Sequence, residues 1–264
     1  MFWGGERKVL TVLFADIRNF TTITEHLPPE ILTKLVNDYF TEMTEIVFDN
    51  EGLLDKYMGD ALMAVFGAPV DNPRHPLLAC NAAVQIEQKV DELNKSGILP
   101  EKISVGVGIT TGEMIVGNMG SRDIFDYTVI GDTVNLGARI EKLNKIYRTS
   151  ILINSQTHER AAGNIVCRDL DLIRVRGRAA PEKIFELLGI KGEVDKKTLD
   201  LVNLWREGLS QYRACHWERA EQIFTRVVQQ YPNDYPAQLY QKRCQQFRKV
   251  PPPKDWDGVF SLAV

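Results

Sequence analysis

A chain of 264 residues with a net charge of −3, 44% hydrophobic and 25% charged, is neither disordered nor fibrous, and it carries no basic block to favour nucleic acid. Its length suits one substantial domain with a smaller appendage. The apolar stretch at residues 9–15 is too short to cross a bilayer and is closed by Asp16, while Cys80, Cys167, Cys215 and Cys244 are spaced for neither a zinc site nor a disulfide framework. A cytoplasmic setting is expected for this segment, which leaves open a longer parent attached to a membrane.

Residues 9–17 read as a strand. Between 28 and 50, Ile31, Leu35, Tyr39, Met43, Ile46 and Val47 recur at three- and four-residue intervals, predicting an amphipathic helix with prolines at its start. Residues 53–57 and 61–66, separated by Met58-Gly59-Asp60, predict a hairpin. A second helix is expected over 76–95 and a strand over 103–110, where glycines signal the close approach of another segment. The order βαββαβ predicts an α+β, ferredoxin-like sheet with helices on one face. A glycine-punctuated stretch then runs to Gly131, followed by a helix to about residue 146 and short strands at 150–154, 170–175 and 183–188. The first domain is expected to cover residues 1–190.

The character changes near 189–197. Three helical periods, at 198–212, 217–230 and 234–247, form a separate module over 191–264, ended by Pro251-Pro252-Pro253. Ala220 and Phe224 with Pro232, preceded by Leu204, Gly208 and Tyr212, resemble a tetratricopeptide helix pair. One such repeat cannot bury its own core. It is expected to dock on the first domain, to pair with a protein partner, or to belong to a longer array.

Three segments carry chemistry. Asp16 and Asp60 each stand at the end of a strand-like run, and pairing of those strands brings the two carboxylates together, as a two-metal phosphoryl-transfer site requires. The turn after Asp16, through Asn19, Phe20 and Thr21, places backbone amides beside that site for phosphate oxygens. Lys56, four residues before Asp60, points into an adjoining pocket. Asn135 and Arg139, also four apart, project from one helical face and offer an amide and a guanidinium fork to a charged phosphorus centre.

The Asp16-Ile-Arg-Asn-Phe-Thr, Lys56-Tyr-Met-Gly-Asp and Thr133-Val-Asn-Leu-Gly-Ala-Arg139 segments, in this order, resemble the class III nucleotidyl cyclase catalytic domain of adenylate and guanylate cyclases over about the first seven-tenths of the chain. The resemblance implies two divalent ions, Mg²⁺ or Mn²⁺, held by Asp16 and Asp60 with the Ile17 carbonyl. It implies base recognition by Lys56 and Thr128, ribose positioning by Asn135 and charge stabilisation by Arg139. Terminal phosphates would meet Asn19, Phe20, Thr21 and Arg176, with Arg178 as the alternative to Arg176. Lysine with threonine resembles a bacterial and cyanobacterial subgroup in which ATP is the substrate, whereas guanylate cyclases typically carry glutamate and cysteine at these positions. The family forms its site in a dimer, with metal and base-reading residues from one subunit and the Asn/Arg pair from the other, so a homodimer is expected, with residues 111–131 as the dimer arm. The expected reaction makes cyclic AMP and pyrophosphate from ATP. A guanylate cyclase and a catalytically silent regulatory or scaffold domain are the alternatives.

Overall fold

The computed structural model describes residues 5–97, 99, 101–174, 181–253 and 255–259. Strand β1 (Gly5–Ile17) leads through the short helix α1 (Phe20–His26) into α2 (Pro29–Asp49), then β2 (Gly52–Met58), β3 (Ala61–Phe66), α3 (His75–Ser96) and β4 (Val105–Gly120). This is the βαββαβ order read from the pattern. Next come β5 (Phe125–Ile130), α4 (Asp132–Tyr147), β6 (Ile151–Asn154), α5 (Ser155–Ala161), β7 (Ile165–Ile173) and β8 (Glu182–Ile190), and then α6 (Lys196–Arg213), α7 (Trp217–Gln230) and α8 (Tyr235–Lys249).

All eight strands join one mixed sheet in the order β2-β3-β1-β4-β6-β8-β7, with β5 pairing onto β4. Alternation along β1 assigns its two faces. Leu13, Ala15 and Ile17 enter the core with Leu35, Tyr39, Met43 and Val47 of α2 and Ala79, Ala83 and Ile86 of α3. Leu10, Val12 and Phe14 face the other way, against Val134 and Ala138 of α4. The helices of the βαββαβ core therefore cover one face, and α4 lies on the opposite one.

The glycines of β4 find their reason here. A Cβ at Gly108 would overlap the Glu141 backbone, its Cα at 2.7 Å; one at Gly112 would stand 2.7 Å from Thr133 Oγ1, and one at Gly137 would stand 2.8 Å from Thr110 Oγ1. The segment expected to approach the 103–110 strand closely is thus α4. Asn144 adds a hydrogen bond from Nδ2 to the Val107 carbonyl at 2.9 Å.

Two features escaped the pattern. Helices α1 and α5 have seven residues each, too few for a 3.6-residue period to register. Strand β4 continues through the glycine-punctuated stretch for sixteen residues, and with β5 it forms a hairpin. Gly106, Gly108 and Gly112 mark close packing on α4, and Gly120 lies against Ile124 and Phe125 where the hairpin turns.

The C-terminal helices dock on the first domain, over β7, on the same face as α4. Trp205 Nε1 donates to the Asp169 carbonyl and the Tyr240 hydroxyl to the Leu170 carbonyl, both at 2.7 Å. Arg213 holds the Asp169 carboxylate with both terminal nitrogens, at 2.6 and 2.7 Å. Arg168, fully buried beneath the Trp205 ring, pairs with Glu186 and with Asp234 at 2.6 Å. Asp195 and Asp234 start α6 and α8 as N-caps, accepting from the Thr198 and Ala237 amides at 2.8 Å.

Because a side chain at Gly108 meets backbone rather than a movable group, Gly108→Ala is expected to cost about 1–3 kcal/mol, the usual range for overpacking. Chemical denaturation followed by circular dichroism measures it, and a loss within error of zero would mean that α4 shifts without cost.

Candidate active site

Register builds the centre of the site. Asp16 pairs with Ala61 of β3 and with Gly106 of β4, so its side chain leaves the sheet one residue before β1 ends, beside the β2–β3 turn that carries Asp60. Gly59 adopts φ +69° in that turn, a conformation glycine accepts without strain. The two carboxyls stand close enough for Asp60 to raise Asp16, as the paired strands led one to expect.

Burial and then the neighbouring Asp60 and Glu141 carboxylates raise the Asp16 carboxyl from 3.8 to about 7. Its Oδ1 is buried with no hydrogen-bond partner. A half-buried pair of like-charged groups with an orphaned oxygen is a donor set suited to a hard cation, which would relieve their repulsion. Among the described residues no set of three or more His, Cys, Asp or Glu side chains is arranged around one point. The donors brought together here are the two carboxylates, and Ile17, the buried last residue of β1, directly follows Asp16.

Asn19 has a left-handed backbone, φ 56°, and its carbonyl accepts from the Thr22 and Ile23 amides at 3.0 and 3.2 Å. The chain turns there into α1, whose first amides, at Phe20 and Thr21, lack helical acceptors. Phe20 anchors the turn by packing on the core, while Thr21 is exposed.

Lys56 lies on the same hairpin as Asp60, its side chain 43% exposed, with Nζ 3.2 Å from Asp55 Oδ2. Asp55 sits at a bulge in β2, its side chain wholly buried and neither oxygen hydrogen-bonded. Thr128 is buried on β5, opposite Gly117. The hairpins bearing Lys56 and Thr128 flank β1 on opposite sides, and within one chain the two side chains make no hydrogen bond to each other.

Asn135 and Arg139 are exposed on α4, on the face turned away from Leu136, Gly137 and Ile140, which pack against the sheet. They share a face as their spacing predicted, but that face looks outward and not toward the aspartates. Arg176 and Arg178 lie outside the described residues.

Four neighbours were not anticipated. Glu141, on the sheet-facing side of α4, is raised to about 7 by burial despite the pull of Lys142 and Arg18. A Cβ at Gly106 would stand 3.0 Å from Glu141 Oε1 and 3.5 Å from Arg18 Nε, so this glycine leaves room for both. Burial lowers the Arg18 guanidinium, and its Nε and Nη2 have no hydrogen-bond partner. The Tyr39 hydroxyl is buried without a partner as well, and burial raises it strongly, with Asp16 and Asp60 adding to the effect. Asp55 is the fourth. The glycines of 106–112 were the available signal for Glu141, and Tyr39 read only as one rung of an apolar period.

Two surface clefts lie elsewhere. One of about 590 Å³ runs between α2 and Tyr57, and another of about 450 Å³ lies between α6 and the β7–β8 edge. Neither is lined by Asp16, Asp60, Asn135 or Arg139.

Comparison with known proteins follows this geometry. Residues 5–189 match the adenylate and guanylate cyclase catalytic domain. The terminal-differentiation-specific adenylate cyclase of Dictyostelium discoideum is 33% identical over 242 residues, 90% of this chain and 11% of that protein. Adenylate cyclase 1 of Rhizobium meliloti is 33% identical over 194 residues, 71% of this chain and 29% of the relative, so the chain spans well under half the length of these curated relatives. Among solved structures, the guanylyl cyclase Cya2 aligns with TM-score 0.67 and 33% identity, covering 73% of this chain and 98% of that one. The adenylyl cyclase CyaB from P. aeruginosa aligns with TM-score 0.67 and 32% identity, covering 73% of this chain and all of that one. With its carboxylate pair, its α4 face and its sheet all falling within the matched region, the chain belongs to the adenylate and guanylate cyclase family.

Proposed function

We propose that the chain is an adenylate cyclase of the lysine/threonine subgroup, working as a homodimer that turns ATP into cyclic AMP and pyrophosphate. The observation that carries the reading is the shared position of Asp16 and Asp60 at the end of β1, with Lys56 on the same hairpin. Similarity to the two adenylate cyclases supports it. The outward face of Asn135 and Arg139 supports a site completed by a second copy, because within one chain that face does not meet the aspartates.

Asp16 and Asp60, with the Ile17 carbonyl, would hold two divalent ions. Bound there, the ions acidify the ribose 3′-hydroxyl and neutralise charge on the departing pyrophosphate. The amides at Asn19, Phe20 and Thr21 receive terminal phosphate oxygens, with Arg176 or Arg178 as a further contact. Lys56 donates to an acceptor on adenine, which requires it to leave Asp55, and the Thr128 hydroxyl both donates and accepts. Asn135 fixes the ribose. As the 3′-oxygen bonds to the α-phosphorus and the bond to the bridging oxygen breaks, the Arg139 fork meets the charge gathering on the α-phosphoryl oxygens. The proton passes to water or to substrate phosphate.

We further read α6 and α7 as a tetratricopeptide-like pair. Support comes from buried Ala220 and from Gly208, where a Cβ would stand 3.0 Å from the Phe224 ring.

Incubation with ATP or GTP in Mg²⁺ and in Mn²⁺ tests the activity. Cyclic AMP from ATP is expected, and Asp16→Ala should lower it by more than about a hundredfold, since charge stabilisation at a reacting centre is worth several kcal/mol. Cyclic GMP as main product would move the reading to a guanylate cyclase, and no product from a verified dimer to a silent domain. In mixed dimers, Asp16→Ala with Arg139→Ala should regain activity because one of the two sites is intact; an inactive mixed dimer removes the shared site.

Base choice is read separately. Lys56→Glu with Thr128→Cys is expected to shift the ratio of kcat/KM for ATP over GTP toward GTP by about tenfold or more, each lost or gained base contact being worth about 1–3 kcal/mol. An unchanged ratio would relocate base recognition.

Metal and pH are linked through Asp16. Its folded-state value of about 7 exceeds the ordinary 3.8, so the metal-free fold binds a proton that the unfolded chain releases. That stabilisation is complete below 3.8 and is lost as pH rises through about 7. Mn²⁺ should therefore raise the melting temperature more at about pH 8 than at about pH 5, and Asp16→Asn should reduce both the metal effect and the pH slope. Equal metal effects at both pH values would place the ion elsewhere.

A further inference from the structure

The C-terminal helices reach α4 through one buried carboxylate. Asp171 of β7 is 2% exposed, and its Oδ2 accepts from the Tyr147 hydroxyl and from Arg243 Nη1, each at 2.6 Å. Tyr147 is the last residue of α4 and Arg243 belongs to α8, so a single oxygen ties the two helices together. The other oxygen accepts from the Leu172 amide at 2.8 Å. The Arg243 guanidinium also lies 4.7 Å from the centre of the Tyr240 ring, and Arg148, just past α4, lies 4.3 Å from that of Tyr235 at the start of α8. Leu136 and Ile140 of α4 share one apolar cluster with Trp205, Tyr212 and Tyr240.

This joint matters because of how α4 meets the sheet. Glycines at 108, 112 and 137 let its backbone approach β4 closely, and Val134, Leu136, Ala138 and Ile140 pack along it. Apolar packing sets the distance, while directional polar bonds fix the helix lengthwise, and two of them, from Asn144 and Tyr147, lie near its C-terminal end. A helix is stiff, and Arg139 stands only about two turns from Tyr147. Holding the end holds the Arg139 guanidinium.

We propose that α6–α8 brace α4, with Tyr147, Asp171 and Arg243 as positioning residues that set turnover by fixing where Arg139 presents its fork. The proposal rests on the cyclase reading for its effect on rate but not for the brace itself. Phosphate and metal contacts lie on other elements, so the brace acts on the transition state more than on nucleotide binding.

The test uses the full chain. Tyr147→Phe keeps the ring and deletes the hydroxyl, Arg243→Met removes the charge, Arg243→Lys keeps it, and Arg248→Ala breaks the ion pairs to Glu218 and Glu221 within the module. Tyr147→Phe and Arg243→Met are expected to lower kcat by roughly tenfold with KM within about twofold, a displaced catalytic group costing up to a hundredfold. Arg243→Lys should recover part of the loss, and Arg248→Ala should match the unaltered chain. Amide hydrogen exchange over residues 132–147 should quicken in the first two variants alone. Unchanged kcat in Tyr147→Phe, or a lost kcat with unchanged exchange in α4, overturns the brace. If the unaltered chain makes no cyclic nucleotide, the activity reading falls, while exchange in α4 still decides the brace.

Discussion

Two carboxylates cannot stay ionised side by side, half out of water, without a compensating charge, and much of this fold is arranged around that constraint at Asp16 and Asp60. The β1–β3 register sets their meeting point, and burial with mutual repulsion lifts Asp16 to about 7. Around them the protein supplies little relief. Arg18 stands near but leaves two of its nitrogens without partners, and Glu141 adds a third acidic group raised to about 7. A site built so heavily toward negative charge is incomplete as a purely structural cluster. A multivalent cation there would relieve that charge, which would tie stability, pH and chemistry to one place.

The parts of the site that were legible in the sequence were those that strand and helix geometry place by themselves. Asp16 and Asp60 stand at strand ends, where hydrophobic alternation stops, and Asn135 and Arg139 stand four apart on a helix. Glu141 was not legible, because it lies two residues from Arg139 and so on the opposite side of α4. Its meaning depends on which side of α4 meets the sheet. The glycines of β4 announced that something comes close, yet not what. Asp55 was hidden for a different reason: a bulge shifts the β2 register there, and simple alternation cannot foresee it.

In the fold, the long amphipathic elements were legible and the short or twice-packed ones were not. Helix α2 buries Leu35, Tyr39, Met43, Ile46 and Val47 on one stripe, which is what the period described. β7 begins at Ile165, ahead of its expected start at 170, because Val166 and Cys167 pair across a bulge with β8. The helical module was legible as helices, and docking on the first domain was one of three expectations for it, but the residues that make the contact were not legible. The residues that fix it, Asp169, Asp171 and Arg168, look in sequence like polar interruptions of a strand. They become intelligible only when Arg213, Arg243, Trp205 and Asp234 close over them. Buried ion pairs of this kind add little net stability over apolar packing, but they tolerate one geometry only. A module held by them is held in register.

That distinction bears on why the catalytic surface is divided as it is. α4 has one face committed to β4 at backbone distance, and its other face carries Asn135 and Arg139 outward. The close approach of α4 to Gly108 and Gly112 fixes which of its sides meets the sheet. The packing leaves Asn135 and Arg139 exposed on the side of α4 away from the sheet, which suits the proposed site completed by a second copy. In such a homodimer the placement of α4 would be a property of the assembly. A helix that would meet a partner's carboxylates across an interface gains from being fixed at its own end by a third element, and in this chain the carboxylate of Asp171 joins it to the C-terminal helices.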